Sequence, residues 1–391
     1  MNGSHVLIAI PVLLTGGTEV QTLALARALR KNGCRVTVCC YHEHERSMVE
    51  RFEALGAQVL LLERARGDGL LRLVLELRRV FREVRPDAIH VQYLAPGLAA
   101  VLAARLAGAR RVIATVHAVH PSWKARLLLR AASVLCDAFQ CVSQAVEAHW
   151  FGSSRIPEPS AIREWRGHYT MYNCVDADHV DVAAARAGRD RVRKEFGLAG
   201  PTIGVVGRLS PEKGHRYLLE AVPEILEHVP AARVLVVGDG ALRQELVELA
   251  SRLGIQEKVV WMGRRPHDEV LRLYAAMDIL ALPSLREGFG LVAAEAMALG
   301  IPVVASAVQG LEEVVLKETT GLLVPPGDSR QLAAAVVRVL KAPSVAERLG
   351  SAAEARVREH FSVDRFEKNV ALAYAGVGVL PLPACTGGRS R

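Results

Sequence analysis

The sequence of 391 residues predicts two doubly wound α/β domains of similar size. Short apolar runs, each long enough for one strand, alternate with segments that have the spacing of amphipathic helices. The alternation stops between Gly152 and Tyr169, a stretch with two prolines and weak periodicity, and then starts again. Strands that alternate with helices form parallel sheets covered on both faces, so we expect one such sheet on each side of the interruption.

The first half contains six predicted strands. A helical pattern follows the first strand from Thr18 to Lys31, with apolar residues on one face and Gly33 just beyond its end. Glycine is common immediately after the last turn of a helix, which supports this boundary. The six predicted strands are His5–Ile10, Arg35–Cys40, Gln58–Leu62, Ala88–Val91, Arg111–Val116 and Phe139–Val142.

The second half repeats the same alternation after a predicted hinge. We expect an N-terminal domain over 1–170, a hinge over 171–178 and a second domain over 179–365. The remaining segment, 366–391, is expected to pack back on the N-terminal domain, with a frayed end that is rich in Pro and Gly. The predicted strands of the second half are Thr202–Val206, Arg233–Val237, Lys258–Met262, Ile279–Leu282, Pro302–Ala305 and Gly321–Val324.

Composition excludes several classes of protein. Hydrophobic residues make up 51% and charged residues 23%, which excludes disordered and fibrous chains. The net charge of +8 permits an anionic ligand, an anionic membrane or nucleic acid as partner. Aromatic residues make up only 5% and do not interleave with a basic stripe, so we expect no nucleic-acid partner. The seven cysteines are scattered without zinc-ligand spacing, which favours a cytoplasmic protein without a metal site.

The stretch from Pro283 to Gly300, PSLREGFGLVAAEAMALG, offers the richest set of functional groups. Gly288 and Gly290 leave bare backbone between a predicted strand and a predicted helix, whose first N–H groups can bind an anion. Glu287 lies before this helix and Glu295 lies on it. A carboxylate beside an anion site is suited to sugar or ribose hydroxyls. The alternative for Glu295 is an acid on a solvated helix face.

A second candidate is the turn GRLSPEKG, from Gly207 to Gly214, which also follows a predicted strand. Arg208 and Lys213 bracket the turn. A planar guanidinium and a flexible ammonium suit a diphosphate, and they would stabilise the negative charge that builds up as a diphosphate departs. The alternative is that both are ordinary surface cations.

Two further candidates lie in the first half. Gly16 and Gly17 stand between a predicted strand and helix, where glycine lets another molecule approach the backbone closely. The alternative is a simple turn. His117 ends a predicted strand and can therefore reach a ligand at the edge of the sheet, although a structural histidine is an equal alternative; His120 is a weaker candidate because it precedes a proline.

Together these residues resemble glycosyltransferase family 4, retaining enzymes of the GT-B fold, in which two Rossmann-like domains face each other across a cleft. The family's glutamate pair, E-x7-E, is present as Glu287 and Glu295, and its phosphate turn as GRLSPEKG. Its glycine-rich N-terminal loop is present as GGTE, from Gly16 to Glu19. The resemblance spans nearly the whole chain and is strongest from Val206 to Asp328.

The resemblance implies a nucleotide-diphosphate-sugar donor, held mainly by the second domain, and no metal or other cofactor. Arg208 and Lys213 would hold the diphosphate, Glu287 the donor-sugar hydroxyls and Glu295 the ribose, while His117 would lie near the transferred sugar. The implied catalytic residues are Glu287, His117, Arg208 and Lys213. The implied donor-binding residues are Gly16, Gly17, Arg208, Lys213, Glu287, Gly288, Phe289, Gly290, Leu291 and Glu295.

One departure from the family lies in the predicted hinge. Where the family often has Asn-Gly-Val-Asp, this chain has Asn173-Cys174-Val175-Asp176. Loss of the glycine affects the expected hinge geometry more than the expected chemistry.

These observations favour a retaining hexosyltransferase that acts on a glycan or lipid-linked acceptor. A nucleotide-sugar epimerase or a glycoside phosphorylase on the same fold, and a non-catalytic nucleotide-sugar binder, remain as alternatives. The nucleotide base, the sugar and the acceptor are left open, because base contacts in this fold are largely made by the backbone.

Two basic segments suggest where the protein works in the cell. The first runs from Arg64 to Arg85 and the second from Trp123 to Arg130, and both mix cations with leucines. Basic amphipathic segments can lie on anionic lipid, so we hypothesise peripheral contact with the inner face of the membrane. The alternative is a pair of solvated helix faces.

Overall fold

The computed structural model describes residues 3–92, 94–119, 123–158, 160–176 and 188–382. The chain divides into two compact units, one formed by Met1–Asn173 with Asp364–Arg391 and the other by Cys174–Val363. Residues 177–187, which include the end of the predicted hinge and the predicted start of the second domain, lie outside the described residues. So do His120 and the predicted frayed end beyond residue 382.

The first unit contains a parallel sheet with strand order β3-β2-β1-β4-β5-β6-β7 among the described residues. Its central pairing joins β1 and β2 in continuous register, from His5 beside Arg35 to Ile10 beside Cys40. All six strands predicted in this half are confirmed to within one residue. The strands are β1 (His5–Ile10), β2 (Arg35–Cys40), β3 (Gln58–Leu61), β4 (Ala88–Gln92), β5 (Val112–Val116), β6 (Ala138–Cys141) and β7 (Gly167–Thr170).

Strand β7 lies in the stretch where the sequence showed no strand pattern. It has only four residues and pairs with β6 alone, at the edge of the sheet. Its contacts are polar as well as apolar: the fully buried Glu147 accepts a hydrogen bond from Thr170 Oγ1 at 2.7 Å, and its other oxygen lies 2.6 Å from His168 Nδ1. A strand held by a buried carboxylate does not have the apolar run that identifies a strand in a sequence.

The helices of the first unit cover both faces of its sheet. From β1 to β3 the chain moves in one direction across the sheet, and from β3 to β6 it moves in the other. Because such crossovers are right-handed, the helices of the two stretches lie on opposite faces. One face carries α1 (Gly17–Lys31) and α2 (Arg46–Ala54), and the other carries α3 (Leu70–Val84), α4 (Leu94–Leu106) and α5 (Trp123–Ser133); α6 (Gln144–Phe151) follows β6.

The second unit contains a parallel sheet with strand order β10-β9-β8-β11-β12-β13 among the described residues. The six strands predicted for this half are also confirmed to within one residue. They are β8 (Thr202–Val206), β9 (Arg233–Val237), β10 (Val259–Gly263), β11 (Ile279–Leu282), β12 (Val303–Ser306) and β13 (Leu322–Val324).

The core of the second unit lies between this sheet and its helices. Ile203 and Val234 of the sheet pack with Leu218 and Val336 from two of the helices, and all four side chains are almost fully buried. Such burial supplies most of the favourable free energy of folding. The helices are α7 (Arg189–Glu195), α8 (His215–His228), α9 (Arg243–Arg252), α10 (His267–Ala275), α11 (Leu291–Ala298), α12 (Gln309–Val314), α13 (Ser329–Lys341) and α14 (Pro343–His360).

The last helix, α15 (Val363–Gly376), packs in the first unit. Tyr374 is 1% exposed, and its hydroxyl lies 2.7 Å from Nδ1 of the fully buried His90 in β4. Nε2 of the same ring lies 2.6 Å from Thr115 Oγ1. Burial lowers the pKa of His90 to about 3, so the ring is neutral at pH 7. The exposed Lys31 of α1 forms an ion pair with the buried carboxylate of Glu367.

No helix in the described part of the chain combines the length and the apolar character needed to cross a bilayer.

Candidate functional site

The strand order of the second sheet changes direction between β8 and β11. At such a switch point the loops after the two strands leave a crevice at the carboxyl edge of the sheet, where ligands of doubly wound folds bind. The loop after β8 is the turn Gly207–Gly214, and the loop after β11 is Pro283–Gly290. The two stretches singled out in the sequence are therefore neighbours.

Backbone contacts hold these two loops together. Leu285 N–H donates to the carbonyl oxygen of Glu212 at 2.8 Å. Gly214 has φ of +65°, and a Cβ atom there would lie 2.0 Å from the carbonyl oxygen of Pro283. A side chain at position 214 would thus be strained and would also push the loops apart.

Side chains join the loops as well. Lys213 Nζ donates to Glu287 Oε1 at 2.6 Å, and Ser284 Oγ donates to the same oxygen at 3.0 Å. The Lys213 and Glu287 side chains are 27% and 13% exposed, so the pair is accessible from one side, whereas Ser284 is buried. Arg208 lies at the end of β8 with an exposed side chain. The structure therefore brings a cation and a carboxylate together at the switch point, with a second cation on the same turn.

Glycines allow the loop before α11 to pack closely against the start of α12. Gly290 precedes the helix with φ of +92°, and a Cβ atom there would lie 2.5 Å from Leu311 Cδ2. A Cβ atom on Gly310 would lie 2.5 Å from the backbone of Gly288. The Phe289 side chain is buried and packs edge-on against Phe361, with ring centroids 5.3 Å apart. Any contribution of Phe289 to a ligand is therefore made by its backbone.

The tight turn after β9, which leads from Val237 to Arg243, also contains two glycines that are required for packing. A Cβ atom on Gly238 would lie 1.9 Å from Gly207 O, and one on Gly240 would lie 2.5 Å from Leu209 O. These two glycines therefore let the loop after β9 pack directly on the cationic turn after β8.

Glu295 is buried rather than on a solvated helix face. Its side chain is 8% exposed, His267 Nε2 lies 2.9 Å from Oε1, and Tyr274 donates its hydroxyl to Oε2 at 2.9 Å. Burial and the neighbouring carboxylate raise the pKa of Tyr274 well above its ordinary value, so it remains a hydrogen-bond donor. Each carboxylate oxygen can accept more than one hydrogen bond, so Glu295 can still bind a hydroxyl.

His267 and Tyr274 were not predicted from the sequence. Both belong to α10, which precedes Glu295 by more than twenty residues, and Tyr274 lies among the buried apolar residues of that helix. The only sequence signal is a tyrosine at an apolar position of the helix, because its hydroxyl needs a hydrogen-bond partner when the ring is buried, and this signal is weak.

In the first unit, the strand order changes direction between β1 and β4. Gly16 is the extended residue before α1, and Gly17 is the first residue of the helix. A Cβ atom on Gly16 would lie 2.6 Å from Oε2 of the buried Glu19. Next to them, Thr15 donates its N–H and its hydroxyl to Glu45 Oε2, at 3.0 and 2.6 Å. Two carboxylates therefore lie beside the turn: Glu19 from its own GGTE motif, and Glu45, which precedes α2 and was not predicted from the sequence.

His117 lies directly after β5 and is partly exposed. Its Nε2 is 2.7 Å from Oε1 of Gln92, the buried last residue of the neighbouring strand β4. Desolvation lowers the pKa of His117, so the ring is neutral at pH 7. Because an amide oxygen only accepts hydrogen bonds, this contact assigns the ring proton to Nε2. His117 is thus a positioned, neutral imidazole at the carboxyl edge of the first sheet.

Two protein families match the chain, one in each half. The model described as Glycosyltransferase Family 4 matches residues 15–178, and the model described as Glycosyl transferases group 1 matches residues 188–356.

Curated relatives agree with these matches. The 2-deoxystreptamine glucosyltransferase of Streptomyces kanamyceticus is 39% identical over 175 residues, 44% of this chain and 45% of that protein. A GDP-mannose-dependent α-(1-6)-phosphatidylinositol monomannoside mannosyltransferase of Mycolicibacterium smegmatis is 32% identical over 276 residues, 68% of each chain. The chain spans about half the length of the first curated relatives that it matches.

A solved structure covers nearly the whole chain. The Anabaena protein HepE, in complex with UDP and glucose, is 23% identical with a TM-score of 0.78, and the match covers 94% of this chain and 98% of that one. This similarity confirms the predicted GT-B fold class. The fold alone does not show the family. Family membership rests on the two matched family models and on a relative that is 32% identical over 68% of its length. The chain belongs to glycosyltransferase family 4.

Proposed function

We propose that the chain transfers a sugar, with retention of anomeric configuration, from a nucleotide-diphosphate sugar to a hydroxyl group of a glycan or lipid-linked acceptor. The observation that carries the proposal is the contact of Lys213 and Ser284 with one oxygen of Glu287 at the switch point of the second sheet. It combines a charge for a phosphate with a carboxylate for hydroxyls, the two groups that such a donor presents.

The proposed roles follow from this geometry. Arg208 and Lys213 bind the diphosphate, and Lys213 can do so without leaving Glu287 because an ammonium group has three donors. Glu287 accepts hydrogen bonds from the sugar hydroxyls through its second oxygen. Glu295, held by Tyr274 and His267, accepts from the ribose.

Backbone groups and the first unit complete the proposed donor contacts. Gly288, Phe289, Gly290 and Leu291 contribute N–H groups near the start of α11. For the first unit, the family resemblance supports Gly16 and Gly17 as phosphate-binding residues and His117 as a residue that binds the sugar.

In the proposed reaction the bond between the sugar C1 and the diphosphate oxygen breaks while the acceptor oxygen bonds to C1 on the same face. The acceptor proton passes to the departing phosphate. Negative charge grows on the diphosphate in the transition state, and preorganised cations stabilise that charge. We propose that Arg208 and Lys213 do this without a metal cofactor.

The acceptor is proposed from two observations. The mycobacterial relative is named for transfer to a phosphatidylinositol monomannoside, which is a lipid-linked sugar. The first unit also exposes basic and apolar helix faces, which support contact with an anionic membrane, and the scattered cysteines favour its cytoplasmic side.

The test begins with a binding screen of uridine, guanosine and adenosine diphosphate sugars in the presence of EDTA. Hydrolysis and transfer products are then identified by NMR, which reports the anomeric configuration. Glu287→Gln and Lys213→Met should each lower turnover by at least about 100-fold, as expected for the loss of one transition-state contact. The matched control is Glu318→Gln, which breaks an exposed ion pair with Arg338 in the same unit.

Wild-type turnover in either site variant would contradict the proposal. Interconversion of the donor sugar without transfer would indicate an epimerase. Phosphate-dependent cleavage of a glycoside would indicate a phosphorylase, and binding without turnover would indicate a non-catalytic nucleotide-sugar binder.

A further inference from the structure

Helix α3 exposes leucines and arginines on one face. Leu71 is 72% exposed and Leu75 is 54% exposed, and Arg78, Arg79 and Arg82 follow at helical spacing. The helix contains four arginines and two glutamates. Glu76 forms an ion pair with Arg64, which lies outside the helix, and Glu83 forms one with Arg79. The other arginines of the helix are not neutralised by these two glutamates, so the face carries an excess of positive charge. The buried face consists of Val74, Leu77, Val80 and Phe81.

Helix α5 has the same character in a more extreme form. Trp123 is 70% exposed, Leu127 is 63% exposed and Leu128 is 52% exposed, while only Leu129 and Ala132 are buried. The helix contains one lysine and two arginines and no acidic residue. An exposed tryptophan beside leucines and cations is typical of a helix that lies in the interface of a bilayer.

The two helices belong to one layer. The chain crosses the sheet in the same direction from β3 to β6, so α3, α4 and α5 cover the same face. Helix α4 contacts both α3 and α5. Leu106, the last residue of α4, is 58% exposed. The exposed leucines, the tryptophan and the cations therefore share one side of the first unit.

We infer that this layer, called here the α3–α5 face, binds the interface of an anionic lipid bilayer. Apolar side chains on a solvated face cost free energy, whereas the same side chains gain free energy when they enter the acyl boundary. The excess of cations on this face complements anionic lipid head groups. This charge complementarity favours an anionic membrane as the binding partner. The inference depends on the proposed function only for its purpose, which is access to a lipid-linked acceptor.

Vesicle flotation of the full chain tests the inference. The protein should float with vesicles of phosphatidylcholine and phosphatidylglycerol and should not float with phosphatidylcholine alone. Added salt should weaken the binding because it screens the cations. The double variant Trp123→Ala/Leu127→Ala and the double variant Lys124→Gln/Arg126→Gln should each lower the partition coefficient by about tenfold or more.

The matched controls lie in the second unit. Val247→Ala removes a side chain that is 41% exposed, and Arg252→Gln removes an exposed cation, both on α9. Both controls should float like the wild type. Donor hydrolysis without vesicles should be unchanged in all variants, which shows that they are folded.

Equal binding to neutral vesicles, unchanged binding of the double variants, or no flotation would overturn the inference, as would a Trp123-dependent dimer in size-exclusion chromatography. Failure of donor hydrolysis in a wild-type protein that still floats would overturn the proposed function alone.

Discussion

Among single residues, Ser284 orients the carboxylate of Glu287, because its hydroxyl and the ammonium group of Lys213 donate to the same oxygen, Oε1. When a donor binds, Lys213 is expected to share its three N–H donors between Glu287 and the diphosphate, whereas the buried Ser284 contacts the carboxylate alone. Ser284 is therefore a positioning residue for the carboxylate.

We predict that Ser284→Ala lowers kcat by about tenfold, because a hydrogen bond to a charged group contributes about 1.5–3 kcal/mol. The KM for the donor should change less than kcat, and Ser284→Thr should restore part of the lost rate because it keeps the hydroxyl. Steady-state kinetics with a thermal-melting control provide the measurement. An equal loss in both variants, or a kcat unchanged in Ser284→Ala, would argue against a positioning role.

Single residues also show where sequence reasoning ends. Lys213 and Glu287 were assigned to the same ligand because each of their motifs follows a predicted strand, where ligands of such sheets bind, but their ion pair was not predicted. The partners of Glu295 could not be found, since His267 and Tyr274 come from another helix and neither belongs to a recognisable motif. The burial of that carboxylate depends on tertiary packing, which its own segment does not encode.

At the scale of elements, the close approach of two loops depends on Gly214. Gly254 provides a matched comparison, because its φ of +67° is nearly the same but a Cβ atom there would meet nothing within 4 Å. The two positions thus share the backbone conformation and differ in the space around it.

We predict that Gly254→Ala costs about 1 kcal/mol of unfolding free energy, the ordinary cost of a left-handed residue. Gly214→Ala should cost about 1–3 kcal/mol more, because its methyl group collides with the carbonyl oxygen of Pro283. It should also weaken donor binding, since Lys213 moves relative to Glu287. Urea denaturation and calorimetric titration with a donor measure both effects; equal losses in the two variants would contradict the proposed contact.

The elements themselves were largely predictable. Strands buried on both faces appear in a sequence as short apolar runs, which is why twelve strands were placed to within one residue. Strand β7 was not predicted because it lacks an apolar run; Glu147, a charged residue on another element, holds it in place.

For the whole molecule, the contact of His90 with Tyr374 joins residues 284 positions apart. The pKa of His90 is about 3 in the folded protein and about 6.5 in an unfolded chain. The unfolded state therefore takes up a proton as the pH falls below 6.5, while the folded state does not until about pH 3. The stability that comes from the neutral ring is complete above pH 6.5 and is lost as the pH falls.

We predict that His90→Gln is less stable than the wild type at pH 7 and that the difference shrinks by up to about 1.4 kcal/mol for each pH unit below 6.5. Glutamine keeps hydrogen-bonding groups but does not titrate. Urea unfolding at pH 7 and pH 5 measures the difference for both proteins. Parallel pH profiles would show that His90 is not the group responsible.

The repeated alternation of the sequence predicts two α/β halves, with the last segment packed on the first half. The residues that attach this segment, such as Tyr374, were not predicted, because no local pattern reveals them. During synthesis, β1 to β7 emerge first, yet the helix that contributes Tyr374 and Glu367 is made only after the entire second unit. The second unit is one continuous segment and can fold on the ribosome as soon as it has emerged. The first unit, although made earlier, cannot be completed until its last helix is synthesised, and the surface that this helix covers stays exposed until then. We expect nascent chains that stall before Val363 to be the species most in need of chaperones.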